Sequence, residues 1–340
     1  MDLVVVESGA KAKTIQKYLG KNVLVRASNG HVQDLPVKGK EGSKALWNHT
    51  DTELPNPTWS WTDRSEANIK RIIADSHRKK VKRVMIATDP DREGEFIAWR
   101  LSELLSDFPE IKRITFNEIT KSAIQDSLES AGSVDMNLVD AAKVRRFMDR
   151  LIGYRTSRFA RSWSLSSMGR VQTPTLGFVV KREKEIQKFI PTPYWAVQAL
   201  ASKIDFRVRF HDRDDPLAWK DDKGKLDTHR TNNASLAEEA FKALESENQM
   251  TITKLSVKEY NRRPKPPFTT DTLLQASGSK YNWKPSNTMR LAQGLYEAGH
   301  ITYMRTDSTR TSASSRQSAK DYISSKWGDE FLGKGVVGKD

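Results

Sequence analysis

The chain contains no cysteine among its 340 residues. Disulfide bonds, zinc sites built on thiolates and cysteine nucleophiles are therefore excluded. No stretch approaches the roughly 18 to 20 apolar residues that a membrane-spanning helix needs. The N-terminal MDLVVVESGAKAK also lacks the charged-then-apolar order of a signal peptide. We therefore expect a cytoplasmic protein without zinc and without a membrane partner.

Acidic residues are fewer than basic ones. The 43 Asp and Glu stand against 57 Lys and Arg, which gives a net charge of +14. Such an excess favours a polyanionic partner, because basic side chains on phosphates release condensed counterions. Nine tryptophans and eight tyrosines could supply surfaces on which unpaired bases stack. A merely basic surface explains the charge equally well, so the charge alone does not identify the partner.

Strand and helix patterns alternate in the first third of the chain. The apolar runs that predict buried strands are LVVV at 3–6, VLVRAS at 23–28 and VKRVMIAT at 81–88. Helical spacing follows at 65–76 and 95–105, and a polar stretch at 37–62 predicts a loop. This alternation predicts an α/β layer with a largely parallel sheet.

The rest of the chain is more mixed. Helical patterns dominate 134–190, where VRRFMDRLI at 144–152 places its apolar residues on one face. Alternation in FRVRF at 206–210 and the run ITKLSV at 252–257 predict strands. Ser235 with Glu238 predicts a capping box that opens a helix.

Acidic residues cluster after one predicted strand. In ATDPDREGE at 87–95, Asp89, Asp91 and Glu93 alternate, so a locally extended backbone would aim them in one direction. Glu7 follows the strand LVVV, and ligands gather beyond the carboxyl ends of such strands. Several carboxylates together need positive charge, and their oxygens suit Mg²⁺. The alternative for the triplet is a solvated acidic turn that opens a helix.

A tyrosine motif lies near the C-terminus. HITYMRTDST at 300–309 places Tyr303 in an extended-looking run with Arg305 two residues later. The residues alone leave two interpretations, an ordinary aromatic on a strand or a nucleophile with a cation beside it. Because a phenol with a pKa of ~10 is a weak nucleophile at neutral pH, the second interpretation requires charge stabilisation of the reacting group.

Longer blocks carry a family resemblance. The Asp-x-Asp-x-Glu pattern after a strand, with Glu7 at an earlier strand end, resembles the Toprim domain of topoisomerases, primases and some nucleases. From residue 3 to about 325 the chain resembles type IA DNA topoisomerases, closer to the bacterial topoisomerase I branch. The blocks that carry this resemblance are, in order, VVESGAKAKTIQKYLG, NGHVQDLP, ATDPDREGEFIA, RITFNEIT, RRFMDRLIGY, SMGRVQTPTL, PPFTTDTL and YEAGHITYMRTDST.

The resemblance implies a reaction and its residues. Tyr303 would attack a DNA phosphodiester to form a 5′-phosphotyrosyl link, with Arg305 on the phosphate. Lys11 would stabilise the phosphoryl charge, and Glu7 would act in proton transfer or in the metal site. The implied ligands of Mg²⁺ are Asp89, Asp91 and Glu93, with Glu7 as a further candidate. The implied activity nicks one strand, passes another and reseals, which relaxes negatively supercoiled DNA without ATP.

The resemblance also implies contacts to single-stranded DNA. The implied contact residues are His31, Arg145, Arg146, Asp149, Tyr154, Ser167, Met168, Gly169, Arg170, Val171 and Gln172. Arg146 and Arg170 would meet phosphates, and Asp149 a base edge. Arg145 and Asp149 stand one helical turn apart, so the simpler interpretation of that pair is an intrahelical ion pair of about 0.3–0.5 kcal/mol.

The implied architecture is an α/β Toprim domain followed by mostly helical and mixed α+β domains. The predicted domains are a Toprim domain at 1–133 (a parallel sheet with flanking helices), a partial helical DNA-binding domain at 134–192, a partial β-rich arch at 193–260 and a truncated tyrosine domain at 261–340. Family members are longer and close a torus with a segment that carries a His-Glu-Ala-Ile-Arg-Pro-like motif, which these residues lack. We therefore expect an incomplete torus, either a fragment or a split subunit whose partner chain supplies the rest, with residues after about 310 loosely held.

Other functions stay open at this point. The topoisomerase half of a reverse gyrase is one, although helicase motifs are missing and Met304 stands where that group has His. A DNA-binding protein without turnover is another. A Toprim primase or nuclease is disfavoured because neither requires the tyrosine block. In each case we expect a cytoplasmic, nucleoid-associated protein.

Overall fold

The computed structural model describes residues 1–36, 57–247, 249–260, 262 and 264–333. The chain divides into two compact units, one made of Met1–Ser167 with Pro264–Asp340 and the other of Met168–Arg263. Most of the loop predicted at 37–62 lies outside the described residues. Across these ranges, no helix combines the length and apolar content that a membrane crossing requires. The division into four domains stays a prediction.

A parallel sheet forms the centre of the first unit. The strands of this unit are β1 (Asp2–Val6), β2 (Val23–Ala27), β3 (Gln33–Asp34), β4 (Ser60–Trp61), β5 (Arg83–Ile86) and β6 (Glu110–Arg113). Four of them pair in the order β2-β1-β5-β6, all parallel, and β3 pairs with β4 in a small antiparallel ribbon. Residues Leu3 to Val6 of β1 are fully buried, which explains why this strand is a continuous apolar run. The predicted parallel α/β sheet is confirmed.

Helices pack on both faces of this sheet. Those that follow the strands are α1 (Gly9–Leu19), α2 (Ser65–Arg78), α3 (Arg92–Leu104), α4 (Lys121–Glu129) and α5 (Met136–Arg161). Successive residues of β1 point to opposite faces, so Leu3 and Val5 join a core cluster with residues of α2 and α3. Val4 and Val6 join a second cluster with Ile15 of α1. Burying each such side chain contributes about 1.5–3 kcal/mol, which fixes the register of the strand.

Helix α5 buries only some of the apolar residues on its predicted apolar face. Its N-cap Asp135 accepts hydrogen bonds from two backbone N–H groups of the first turn. Phe147 is buried and Leu151 packs in the same cluster. Val144, Met148 and Ile152 are instead 43–45 % exposed. The predicted single apolar face is therefore buried only in part.

The second unit contains α6 (Gln172–Gln187), the antiparallel pair β7 (Gln198–Ala201) and β8 (Ile204–Arg207), and α7 (Ala234–Ser246). Asn233 caps α7 by accepting a hydrogen bond from the N–H of Leu236, and Ser235 lies inside the helix. The predicted capping box at Ser235 is therefore wrong. The strand predicted at 252–257 is also wrong, because these residues have no regular structure and Leu255 is 82 % exposed. An apolar run without a partner surface does not form a strand.

The C-terminal part of the first unit carries the tyrosine motif. Its helices are α8 (Thr270–Tyr281), α9 (Pro285–Glu297) and α10 (Ala313–Trp327), followed by a 3₁₀ turn at Asp329–Phe331. Gly299 follows α9 with a φ of +80°, and a Cβ there would lie 2.6 Å from the carbonyl oxygen of Ile119. The glycine thus lets the chain leave α9 and pass close to the segment between β6 and α4. Helix α10 buries none of its residues.

Candidate active site

The site begins at the carboxyl ends of two adjacent strands. Glu7 follows β1, and Asp89 follows β5, its parallel neighbour. Oε1 of Glu7 accepts a hydrogen bond of 2.8 Å from the backbone N–H of Asp89. Lys11, on α1, is buried and forms an ion pair with Oδ1 of Asp89, which is also buried. The prediction that these two strand ends meet is confirmed.

Asp91 and Glu93 belong to the start of α3. Asp91 is the N-cap, and its Oδ1 accepts a hydrogen bond of 2.8 Å from the N–H of Gly94. Glu93 is already in the first helical turn. The expected extended backbone that aligns Asp89, Asp91 and Glu93 is therefore wrong, because the helix begins at Arg92. All four carboxylates nevertheless line one cavity of about 410 Å³, together with His31 and Arg305.

Tyr303 reaches the acidic cluster from a loop, not from a strand. Residues 301–312 have no regular structure, so the extended run predicted there is wrong. The N–H of Tyr303 donates to the carbonyl of Asn117 at 2.7 Å, and the hydroxyl of Thr270 donates to the carbonyl of Met304 at 2.8 Å. The ring is 6 % exposed and packs edge-on against Tyr296 at 5.2 Å between centroids. These contacts fix the side chain on both sides.

The phenol and the carboxylates meet directly. The hydroxyl of Tyr303 donates a hydrogen bond of 2.5 Å to Oδ2 of Asp91. Nη1 of Arg305 lies 3.3 Å from the same oxygen. Tyr303 thus lies against acidic residues from the first hundred positions of the chain.

The surroundings hold the proton on the phenol. Burial raises the pKa of Tyr303 well above its ordinary value, and the hydrogen bond to Asp91 and the charge of Asp89 add to this shift. Burial also raises the pKa of Glu7, with a further contribution from the charge of Asp89. The site therefore contains a neutral phenol and a carboxyl group that retains its proton at a higher pH than usual.

Protein cations compensate the acidic cluster. Lys11 pairs with Asp89, and Arg305 with Asp91. Arg146 of α5 pairs with Oε1 of Glu93, which also lies 2.5 Å from Nε2 of His31. The hydrogen bond from His31, with the charge of Arg146, lowers the pKa of Glu93 to about 2. Among the described residues, Asp89, Asp91 and Glu93 thus each have at least one basic partner.

Four of the implied DNA contacts lie at the candidate site. His31 lines the acidic cavity, and Arg145, Arg146 and Asp149 line an adjoining cavity with Asp91, Glu93 and Arg305. Arg145 and Asp149 are exposed and lie 3.9 Å apart, which matches the intrahelical ion pair named as the simpler interpretation. Tyr154 is exposed, with the guanidinium of Arg150 4.9 Å from its ring centroid. The implied contacts from Met168 to Gln172 belong to the second unit. Their role on DNA stays a prediction, as does that of Ser167.

The sequence did not single out Asp34 and Tyr296. Both carboxylate oxygens of Asp34 lie 2.7 Å from Nη1 of Arg146, which orients that side chain. The fully buried ring of Tyr296 lies between Tyr303 and Lys11, whose Nζ is 5.3 Å from the ring centroid. Asp34 stands in the block NGHVQDLP with His31, and Tyr296 in the block YEAGHITYMRTDST with Tyr303, and that position was the available signal.

The donor set suits Mg²⁺ in its chemistry, because hard carboxylate oxygens line one cavity. Glu7, Asp89 and Glu93 each use one carboxylate oxygen in the contacts above. The part of the chain that the structure describes contains no group of three acidic or histidine side chains already converged for a metal. In this arrangement Lys11, Arg146 and Arg305 supply the positive charge that an ion would otherwise supply.

Comparisons with known proteins identify the family of the chain. Residues 2–119 match the Toprim domain family, and residues 133–337 match the DNA topoisomerase family. The fold is similar to that of full-length topoisomerase I from Thermotoga maritima, with a TM-score of 0.77 and 32 % sequence identity. The match covers 99 % of this chain and 55 % of the Thermotoga chain.

Together, a Toprim sheet and a tyrosine at its acidic edge define a Toprim-containing DNA topoisomerase. The chain belongs to the type IA DNA topoisomerase family, as its motifs predict. It spans about half the length of the Thermotoga relative.

Proposed function

We propose that this chain carries the DNA cleavage and rejoining centre of a type IA topoisomerase, with Tyr303 as the nucleophile. The observation that supports this most is the 2.5 Å hydrogen bond from the Tyr303 hydroxyl to Asp91, with Arg305 beside it. The substrate is a single-stranded segment of DNA. The net reaction relaxes negatively supercoiled DNA in the cytoplasm without ATP.

Cleavage exchanges one phosphoester bond for another. Oη of Tyr303 attacks the phosphorus, and the bond from phosphorus to the 3′ oxygen of the upstream nucleotide breaks. Oδ2 of Asp91, which already accepts the phenolic hydrogen, receives that proton. Glu7, whose pKa is raised, is suited to give a proton to the departing 3′ oxygen. Rejoining reverses each transfer, and the phosphotyrosine conserves the energy of the bond.

Positive charge around the phosphate lowers the barrier. Arg305 is partly exposed and next to the nucleophile, so it can bind a phosphate oxygen when DNA enters. Lys11 is buried and contacts Asp89 and the ring of Tyr296. Its positive charge stabilises the negative charge of the reacting phosphate. Asp89, Asp91 and Glu93, with Glu7 as a further candidate, would hold Mg²⁺. When bound, the ion supplies additional charge stabilisation at the phosphate.

A suicide oligonucleotide tests this proposal. A single strand that loses its short upstream piece, which carries the free 3′ hydroxyl, should leave the downstream piece covalently joined to the protein through its 5′ phosphate. Tyr303→Phe should form no such adduct, while still binding the strand. The absence of any adduct from the unsubstituted chain, in the presence of Mg²⁺, would refute the proposed enzyme function.

DNA binding without turnover is the second candidate. It is favoured by the protonated phenol and by the carboxylates that protein cations already neutralise. Binding without adduct would support it. If the chain cleaves but does not relax a negatively supercoiled plasmid, adding a chain equivalent to the remaining part of the relative tests a split enzyme. The topoisomerase half of a reverse gyrase has no specific support in the site.

A further inference from the structure

A second cavity lies next to Tyr303, apart from the one that the acidic residues line. Its volume is about 630 Å³, within the range of roughly 300–1,000 Å³ typical of ligand pockets. Its walls come from the loop after α9, the start of α10, and the segments at 117–118 and 267–268, all in the first unit. Tyr303 and Arg305 line this cavity, and Arg305 lines the acidic one as well.

The two cavities differ in chemistry. The acidic cavity has four carboxylates in its wall. The second cavity has seven serine and threonine side chains, two arginines (Arg305 and Arg310) and only one carboxylate, that of Glu118. Hydroxyl groups and arginines are the side chains that most often contact the phosphates and sugars of nucleic acids. We refer to this second cavity as the hydroxyl cavity.

We propose that the hydroxyl cavity binds the sugar–phosphate backbone of the strand that stays joined to Tyr303 after cleavage. This inference rests on the proposed function and adds the location of one product strand. Once the bond to the 3′ oxygen breaks, the phosphorus is bonded to Oη of Tyr303 and to the 5′ oxygen of the downstream nucleotide. That downstream strand has to be held beside the tyrosine until rejoining.

In-line displacement assigns the two strand ends to the two cavities. The attacking and leaving oxygens lie on opposite sides of the phosphorus. The departing 3′ oxygen therefore faces away from Tyr303, toward Glu7 in the wall of the acidic cavity. The wall of the acidic cavity has four carboxylates and that of the hydroxyl cavity has one, so further phosphates meet less negative charge in the hydroxyl cavity. The phosphates of the retained strand are accommodated better among Arg305, Arg310 and the hydroxyl groups.

Hydrogen bonds within the protein fix the wall of the hydroxyl cavity before any strand binds. The hydroxyl of Thr306 accepts a hydrogen bond of 3.1 Å from the N–H of Ser308, whose own hydroxyl accepts one of 3.2 Å from the N–H of Arg310. Thr270 of α8 exchanges backbone and hydroxyl hydrogen bonds with Thr306. Preorganisation of this kind reduces the entropy that binding a flexible strand costs. Arg310 is exposed and can reach a bound phosphate without leaving a buried position.

Binding of the product strand gives the first test. The full chain is titrated with a fluorescent single strand that carries a 5′-phosphate, and with the same strand carrying a 5′-hydroxyl. Arg310→Gln should weaken binding of the phosphorylated strand by about tenfold and reduce the salt slope by about one. Lys320→Gln removes the same charge from an exposed position of α10 outside the cavity and should have little effect. Equal effects of the two substitutions would overturn the proposal.

Cleavage gives the second test. Two suicide substrates share one cleavage site and have either a single nucleotide or a long extension on the downstream side. The unsubstituted chain should form adduct faster with the extended substrate, and Arg310→Gln should bring this ratio close to one. A ratio that Arg310→Gln leaves unchanged would overturn the proposal while leaving the nucleophile role of Tyr303 intact. No adduct with either substrate would refute the proposed function, and the binding test would still decide the inference.

Discussion

The hydroxyl of Tyr303 lies 2.5 Å from Oδ2 of Asp91, although 212 positions separate the two residues in the chain. The same oxygen lies 3.3 Å from Nη1 of Arg305. One carboxylate oxygen therefore links the nucleophile to the neighbouring cation. Because burial and this hydrogen bond both raise the pKa of Tyr303, the contact holds a neutral phenol in position for a phosphate.

Asp91→Asn removes the negative charge of this side chain and keeps its size and shape. An asparagine can still cap α3 and accept a hydrogen bond, but it cannot take the phenolic proton. The pKa of Tyr303 should fall toward its ordinary value, since a raising charge is removed. Adduct formation should nevertheless slow by about 10²–10⁴-fold. The rate is measured with the suicide oligonucleotide, and the pKa by ultraviolet titration against Tyr303→Phe.

Asp107→Asn is the matched control, because Asp107 is exposed and does not line the cavity. It should leave the cleavage rate unchanged. Unimpaired cleavage by Asp91→Asn would show that another group accepts the proton.

Lys11→Met should destabilise the fold and make its stability depend on Mg²⁺. Lys11 and Asp89 form a buried ion pair, and removing one partner of such a pair costs about 3–5 kcal/mol. Because a bound ion can supply the missing charge at Asp89, Mg²⁺ should recover part of this loss. Thermal unfolding in EDTA and in Mg²⁺ measures both effects.

Two further variants control this experiment. Lys13→Met changes an exposed lysine of the same helix and should alter neither the stability nor its Mg²⁺ dependence. Lys11→Met with Asp89→Asn removes both charges and should be more stable than Lys11→Met alone. Insensitivity of Lys11→Met to Mg²⁺ would argue against Asp89 as a metal ligand.

The positions of Glu7 and Asp89 could be predicted because they depend on a local rule. Each follows an apolar run, and the carboxyl ends of parallel neighbours share one edge of the sheet. The backbone around Asp91 could not be derived from the spacing of the acids alone. Alternating carboxylates fit an extended segment and an N-capped helix equally well, and the capping hydrogen bond with Gly94 decided for the helix.

The neutralisation of the cluster could not be predicted at all from local sequence. Excess negative charge was expected to require Mg²⁺, yet Arg146 reaches Glu93 from a helix 53 residues further along the chain. Arg146 is oriented by Asp34, 112 residues away from it. Both contacts follow from the way α5 packs against the other elements of the first unit. No spacing in the sequence encodes that packing.

Glu93→Gln should remove a pH-dependent part of the stability. Glu93 has a pKa of about 2 in the folded protein, against an ordinary value of 4.5, because of its contacts with His31 and Arg146. Folding thus favours its ionised form, and this contribution is complete above pH 4.5 and disappears as the pH falls toward about 2. Because the side chain is 40 % exposed, solvent screening limits the contribution to about 1–2 kcal/mol.

Urea unfolding at about pH 7 and at about pH 3 measures this difference. The stability gap between the unsubstituted chain and Glu93→Gln should be smaller at the acidic pH. Glu66→Gln, which removes an exposed ion pair with Lys70, should change stability little at either pH. A gap that does not depend on pH would contradict the assigned contacts of Glu93.

Gly94→Ala should disrupt the site through the backbone. A Cβ at position 94 would clash with the backbone carbonyl of Asp89, and the hydroxyl of Thr88 already donates to the carbonyl of Gly94 at 2.6 Å. The first turn of α3 would have to move, which carries Asp91 away from Tyr303, so stability should fall by about 1–3 kcal/mol and adduct formation should decrease. Gly153→Ala in α5 is the matched control, because no atom lies within 4 Å of its added Cβ, and it should gain about 0.5–1 kcal/mol. If Gly94→Ala unfolds at the same temperature and cleaves as fast as the unsubstituted chain, the close approach of α3 to β5 does not set the distance between Asp91 and Tyr303.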